Sequence, residues 1–376
     1  METKMAMNNL IALAALGQSP WYDNIDRRLI HNGQLQALIA AGVMGVTSNP
    51  SIFEKAVNGS AVYDETIQTL AKAGRTAEQI YDVITVEDVQ SAADLLSEIY
   101  QKSRGRDGYV SLEVLPEYAH DPVKTIDHAR RIHKEVARPN LMIKVPGTEE
   151  GPEAIRALTR EGINVNVTLL FSLKHYEASA RAYLDGLRER LRDGHDLDSV
   201  CSVASVFVSR VDTTVDKRLG ELKEDRLKGK IAVANAKMIY QAFKSLFFGE
   251  TFKELSSQGA QIQRVLWGST STKNPDYLDV KYVDELIGQH SVNTLPHNTL
   301  EAFLDHGTAK LTLETDLNKE KTYLQQLEDL RIDLSDICDE IQTQGVQAFS
   351  DSFEQLIDAI RRKATAGGSS DDVVIT

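Results

Sequence analysis

Leu141-Met-Ile-Lys-Val145 and Ile163-Asn-Val-Asn-Val-Thr-Leu-Leu170 decide how this chain is read. Both are short, rich in β-branched residues, and too short for helices. Strands that are apolar almost throughout belong to parallel sheets, whose two faces are both covered. Working outward, the same kind of run recurs at Trp21–Ile25, Val43–Thr47, Tyr109–Val114, Ser199–Ser209, Ile262–Trp267 and, more weakly, His290–Leu295. That makes eight, the number that closes a parallel barrel.

The segments between the runs have helical spacing. Thr85 opens a TVED pattern that resembles a capping box, followed by Val86, Val89, Ala93, Leu96 and Tyr100 on one face. Asp121 and Pro122 read as an N-cap and first-turn proline ahead of Val123, Ile126, Ile132 and Val136, with Pro139 ending the segment. Val211–Gln261 and Thr299–Ala364 are longer than plain barrel connections and carry no strand set, so they predict extra helices after strands six and eight. The expected architecture is α/β: a (β/α)8 TIM barrel forming one domain over residues 1–365, with a small polar tail over 366–376 read as flexible. The C-terminal helices are expected either to cover the open face of the barrel or to form the subunit contact of a homodimer.

The composition narrows the functional classes. Among 376 residues, 42 Lys and Arg stand against 55 Asp and Glu, a net charge of −13. That field repels nucleic acid and anionic membrane surfaces, though a small anion can still find a local basic pocket. Two cysteines, Cys201 and Cys338, make no disulfide framework and suit a reducing compartment, so a cytoplasmic protein is expected. The apolar stretch Leu10–Leu16 is short and weakly basic upstream, and reads as a first helix rather than a targeting signal. His120, His128 and His133 lack metal-ligand spacing, and no phosphate-cradling glycine motif occurs, so neither metal nor nucleotide cofactor is expected.

In a parallel barrel the chemistry sits at the C-terminal ends of the strands. Here those ends carry Asp23, Asn49, Glu113, Lys144, Asn166, Thr168, Ser205, Arg210, Ser271 and Lys273. Singly, each has an ordinary reading as a cap, a turn residue or a solvated charge. Together, at equivalent ends of successive strands, they read as one site. Lys144 stands out: flanked by Leu141, Met142, Ile143 and Val145, its amine is expected to be dry, and burial disfavours the charged form and frees the lone pair to attack a carbonyl.

These residues carry a family resemblance. GVTSNPSIF, MIKVPGTEEG and GINVNVTLLFS resemble the strand-end segments of the transaldolases, and SVFVSRVD and GSTSTKN do so less closely. The match runs from about Gly17 to Asn274, and the long C-terminal part is similar to the larger bacterial subgroup. The resemblance implies that Lys144 forms a Schiff base with the C2 ketone of a ketose phosphate, sedoheptulose 7-phosphate or fructose 6-phosphate. A dihydroxyacetone unit then passes to an aldose phosphate, in the non-oxidative pentose phosphate pathway. It implies Asp23 as the acid/base at the C4 hydroxyl, and Glu113 with Thr168 as the water-mediated proton shuttle. Asn49, Asn166 and Ser205 would hold the retained three-carbon unit, with Phe207 beside it, and Arg210, Ser271 and Lys273 would grip the phosphate. Lys273 stands where the family has an arginine, and Asn24 follows Asp23 where Thr or Ser is usual. Two rival readings remain. A fructose-6-phosphate aldolase would carry Gln in place of Glu113 and Tyr in place of Phe207; a non-catalytic barrel would carry a broken site.

Overall fold

The computed structural model describes residues 8–366. Eight parallel strands close a barrel in chain order: β1 (Gln18–Tyr22), β2 (Val46–Thr47), β3 (Val110–Glu113), β4 (Leu141–Pro146), β5 (Val165–Leu170), β6 (Ser202–Phe207), β7 (Gln263–Gly268) and β8 (Ser291–Leu295). β8 pairs back onto β1, with Gln18 opposite Ser291. Helices fill the connections, giving the expected (β/α)8 TIM barrel, and all eight runs supplied a strand.

The boundaries differ at β1 and β2. The first strand begins at Gln18, three residues before the expected Trp21, and stops at Tyr22, so Asp23 lies just past it. β2 keeps only Val46 and Thr47. Beside it, a Cβ on Gly45 would lie 2.6 Å from the Trp21 indole, so only glycine lets the chain pass there.

The TVED reading is corrected by the structure. The helix runs Ala77–Lys102, and its capping box is Thr76 with Gln79. Thr85 lies buried in the middle, its hydroxyl donating to the Tyr81 carbonyl at 2.8 Å. The Asp121–Pro122 start is observed, with the Asp121 carboxylate accepting from the Lys124 amide at 3.0 Å. Leu10–Leu16 forms most of a helix, Asn9–Ala15, with Leu10 and Leu13 in the core. Among the described residues no helix is long and apolar enough to cross a membrane.

Side-chain alternation sets the layers. One large apolar cluster lies between strands and helices and includes Ile143, Val145, Val165 and Val167. A smaller one, Trp21, Tyr109, Met142, Val203, Leu266 and Val292, plugs the barrel interior. Beneath the plug, Asp107 accepts from Trp21 Nε1 at 3.0 Å, Ser19 Oγ at 2.9 Å and Arg264 Nη2 at 2.9 Å. Both oxygens of the buried Asp107 are therefore partnered.

The extra helices appear where the sequence places them: Ser209–Leu222, Ile231–Phe247 and Glu250–Ser257 after β6, then His297–His306, Leu317–Asp329 and Leu334–Ala366 after β8. The last of these turns back over the C-terminal ends of the strands. Gln342 Nε2 donates to the carbonyls of Gly147 at 2.8 Å and Leu169 at 2.9 Å, and the hydroxyls of Ser51 and Ser352 meet at 2.6 Å. Of its two expected roles, covering the open face is the one seen in the chain. Ala366, the first residue of the expected tail, is the last of this helix, and the remainder of that tail lies outside the described residues.

Candidate active site

The interior polar residues follow from the plug by counting in twos. Two positions beyond Trp21 stands Asp23, beyond Met142 stands Lys144, beyond Val203 stands Ser205, and beyond Val292 stands Thr294; Tyr109 leads through Ser111 to Glu113. A strand that seals the barrel with one side chain must present the second-next residue one layer higher, toward the open end.

A cavity of about 380 Å³ opens above that layer. Its wall includes Asp23, Asn49, Lys144, Ser205, Phe207, Arg210, Ser271 and Lys273, eight of the eleven residues expected from sequence. The other three, Glu113, Asn166 and Thr168, are buried behind it.

Lys144 is 4% exposed, and its Nζ donates to the Ser48 carbonyl at 2.8 Å. Glu113 Oε2 lies 3.4 Å away. The expectation of a purely aliphatic surround needs correcting, because Ile143 and Val145 belong to the outer apolar layer. The amine is dry because it projects into the barrel among a carbonyl, a carboxylate and the ring of Phe349, whose centroid is 6.0 Å from Nζ.

The two acids sit in different settings. Asp23 accepts from the Thr47 hydroxyl at 2.7 Å, and Thr47 meets the Thr294 hydroxyl at 2.6 Å. Burial raises the Asp23 carboxyl above its ordinary range, opposed by the positive charge of Lys144 and the Thr47 hydrogen bond. Burial raises Glu113 as well, opposed by Lys144. Among the described residues, Glu113 Oε2 has no hydrogen-bond partner beyond its 3.4 Å ion-pair contact with Lys144, and Thr168 Oγ1 has none. Buried polar atoms left in this way suit a site whose partners arrive with substrate or water.

The amides are partly committed. Asn49 caps the helix Pro50–Asn58, accepting from the Ile52 amide at 3.0 Å. Asn166 donates to Ser111 Oγ at 3.0 Å and accepts from Ser205 Oγ at 2.6 Å, so it positions Ser205 from behind the wall.

Besides Lys144, three basic side chains border the same cavity: Arg210, Lys273 and Lys55. Arg210 stacks on Phe207 at 5.6 Å, and burial pulls its guanidinium below its ordinary range. Lys273 donates to Ser271 Oγ at 2.6 Å; burial, then the charges of Arg210 and Lys55, lower it. Among the described lining residues, Asp23 is the only carboxylate.

Sequence reasoning missed Thr47, Lys55, Thr294 and Phe349. Thr47 and Lys55 lie in or just after the GVTSNPSIF segment, so the motif was a pointer to both. Nothing local marks Phe349, which arrives on a helix far along the chain.

Residues 20–360 match the model of the transaldolase/fructose-6-phosphate aldolase family. The chain belongs to this family. Among relatives within it, "Transaldolase 2" of Nostoc punctiforme is 42% identical over 374 residues, covering 96% of this chain and 98% of that one. "Transaldolase" of Trichodesmium erythraeum is 42% identical over 373 residues, with the same coverage of each chain. "Transaldolase" of Thiobacillus denitrificans is 44% identical over 355 residues, covering 93% of this chain and 99% of its own.

Proposed function

We propose that this chain is a transaldolase, which moves a dihydroxyacetone unit from a ketose phosphate to an aldose phosphate through a Schiff base on Lys144. The observation that carries the reading is the buried Lys144 amine, 3.4 Å from Glu113, at a cavity whose wall also bears Asp23 and three cations. The near-full-length likeness to relatives named transaldolase supports the same reaction.

The amine adds to the C2 ketone, and the resulting carbinolamine loses water to give the imine. Each step moves a proton, and Glu113, with a water held by Thr168 Oγ1, is the local relay. Asp23 then takes the C4 hydroxyl proton as the C3–C4 bond breaks; the aldose phosphate leaves, and the bond's electron pair is held as the enamine of the three-carbon unit. Raised carboxyls suit this exchange, because an acid/base works best when its proton affinity lies near the working pH. Addition of the enamine to an acceptor aldehyde runs the sequence backward, and hydrolysis frees the amine. Asn49 and Ser205, the latter held by Asn166, bind the retained hydroxyls. Arg210, Ser271 and Lys273 hold the phosphate.

Phe207 favours transfer over release. The residue beside the three-carbon unit has no hydroxyl, so no tyrosine proton is at hand there to protonate the enamine and discharge free dihydroxyacetone. The test is borohydride reduction in the presence of fructose 6-phosphate, followed by peptide mapping. A three-carbon adduct on Lys144 is expected, and none, or one elsewhere, would reject the proposal. Turnover that depends on added erythrose 4-phosphate is expected; rapid dihydroxyacetone release without it would identify a lyase.

A further inference from the structure

We propose that Lys55 is a third phosphate-binding cation of the site, acting on the terminal phosphate of the ketose donor and of the aldose acceptor in turn. The inference rests on the transaldolase reading and deepens it.

The helix Pro50–Asn58 begins at Asn49, where β2 gives out at the mouth of the barrel. Ser51, Ile52 and Lys55 stand three and four positions apart, so they share one helix face, and all three line the cavity. Phe53, Ala56 and Val57 are buried on the other side. The packing of those three residues in the core fixes which way Lys55 faces. Its side chain is exposed, at the rim of the cavity that it lines.

The charges around it need an explanation. Arg210, Lys273 and Lys55 border one cavity, and none forms an ion pair among the described residues. The chain has 55 acidic residues against 42 basic ones, so carboxylates to neutralise the cluster are not scarce. Lys273 is lowered by burial first, then by the charges of Arg210 and of Lys55, which face the same cavity. Like charges gathered without counter-ions suit a site that receives a doubly charged anion.

Residue chemistry supports a third donor. A lysine at 273 is a point charge and cannot offer a guanidinium's two parallel N–H groups. Lys55 restores both the charge and a second direction of approach. Because the donor's aldose phosphate leaves before the acceptor enters, one cation cluster serves both half-reactions, and losing Lys55 should weaken both sugars alike.

The test uses the full chain with Lys55→Gln and Lys55→Arg. We expect Lys55→Gln to raise KM for fructose 6-phosphate and for erythrose 4-phosphate by about three- to tenfold each, with kcat falling far less. Inhibition by inorganic phosphate should weaken by the same factor, more visibly at low salt, and Lys55→Arg should restore it. An unchanged KM and phosphate inhibition in Lys55→Gln would overturn the proposal, as would a defect that Lys55→Arg fails to rescue. Borohydride trapping of dihydroxyacetone, which has no phosphate, on the unaltered protein separates the two readings: no adduct on Lys144 rejects the Schiff-base enzyme itself, whereas an adduct alongside an indifferent Lys55→Gln rejects this inference alone.

Discussion

Gly345 tests whether the C-terminal helix is part of the site or merely lies over it. The helix passes so close to the end of β5 that a Cβ on Gly345 would sit 2.9 Å from Leu169 Cδ2 and 3.3 Å from Arg210 Nη1. Leu169 Cδ2 ends a side chain that is fully buried in the core, so it can give way only as far as its packed neighbours allow. Arg210 can move, since no carboxylate among the described residues pins it. In Gly345→Ala, overpacking costs about 1–3 kcal/mol, while replacing glycine inside a helix returns about 1 kcal/mol. Net stability should therefore fall by no more than about 2 kcal/mol. The larger effect is on Arg210: displacing its guanidinium by a few tenths of an ångström weakens one charge-assisted contact, about 1 kcal/mol of the 1.5–3 such a bond contributes. That corresponds to roughly a fivefold rise in KM for fructose 6-phosphate, with a smaller change in kcat. Steady-state kinetics on Gly345→Ala and the bulkier Gly345→Leu, alongside thermal melts, measure both quantities. If both variants stay folded and keep KM within twofold of the unaltered protein, the helix does not bear on Arg210, and the account of how the site is closed is wrong.

The remaining predictions concern the acids. Glu113→Gln should slow borohydride-trapped adduct formation by about 10²–10⁴-fold, whereas Asp23→Asn should permit trapping of dihydroxyacetone yet slow turnover of fructose 6-phosphate by a similar factor; equal effects in both assays would merge the two roles. Asp212, on the helix that carries Arg210, is buried and its carboxyl is pushed up to about 6, despite hydrogen bonds from the Ala232 amide and the Tyr282 hydroxyl. Because the unfolded chain ionises first, stability should decline by up to about 3 kcal/mol as pH rises from about 4 to about 6. Urea unfolding of Asp212→Asn across that range should show a flatter profile, and an unchanged slope would show that this carboxyl titrates normally.

Much of the barrel was legible because parallel strands must be apolar on both faces, and that pattern survives without any knowledge of pairing. What was not legible traces to residues whose conformation is set by distant partners. Gln18, Ser19 and Pro20 lie outside the expected first run, yet they are strand, because they pair with Ser291, Val292 and Asn293 of β8 and Gln18 also donates to Ser291 Oγ at 2.8 Å. Thr85 looks like a helix start because its sequence offers a box, but Thr76 starts the same helix two and a half turns earlier and buries it. At the site, polar residues inside apolar runs were visible as exceptions, whereas Phe349 was not, since an aromatic on a helix is ordinary until the helix is folded back onto Lys144.

The position of the exceptions also explains how the fold tolerates them. A buried Lys144–Glu113 pair gives weak net stability at best, because desolvation of both charges opposes their attraction. Each chemical residue stands one layer above an apolar one on the same strand, Lys144 above Met142 and Asp23 above Trp21. The plug and the outer apolar layer hold the barrel closed, so the layer above them can carry unpaired cations and unpartnered carboxylate and hydroxyl atoms at modest cost to folding. This division predicts an asymmetry between neighbours on one strand: Met142→Ala should threaten folding by about 2–5 kcal/mol, while Lys144→Met, which removes the nucleophilic amine, should abolish chemistry and leave the barrel standing.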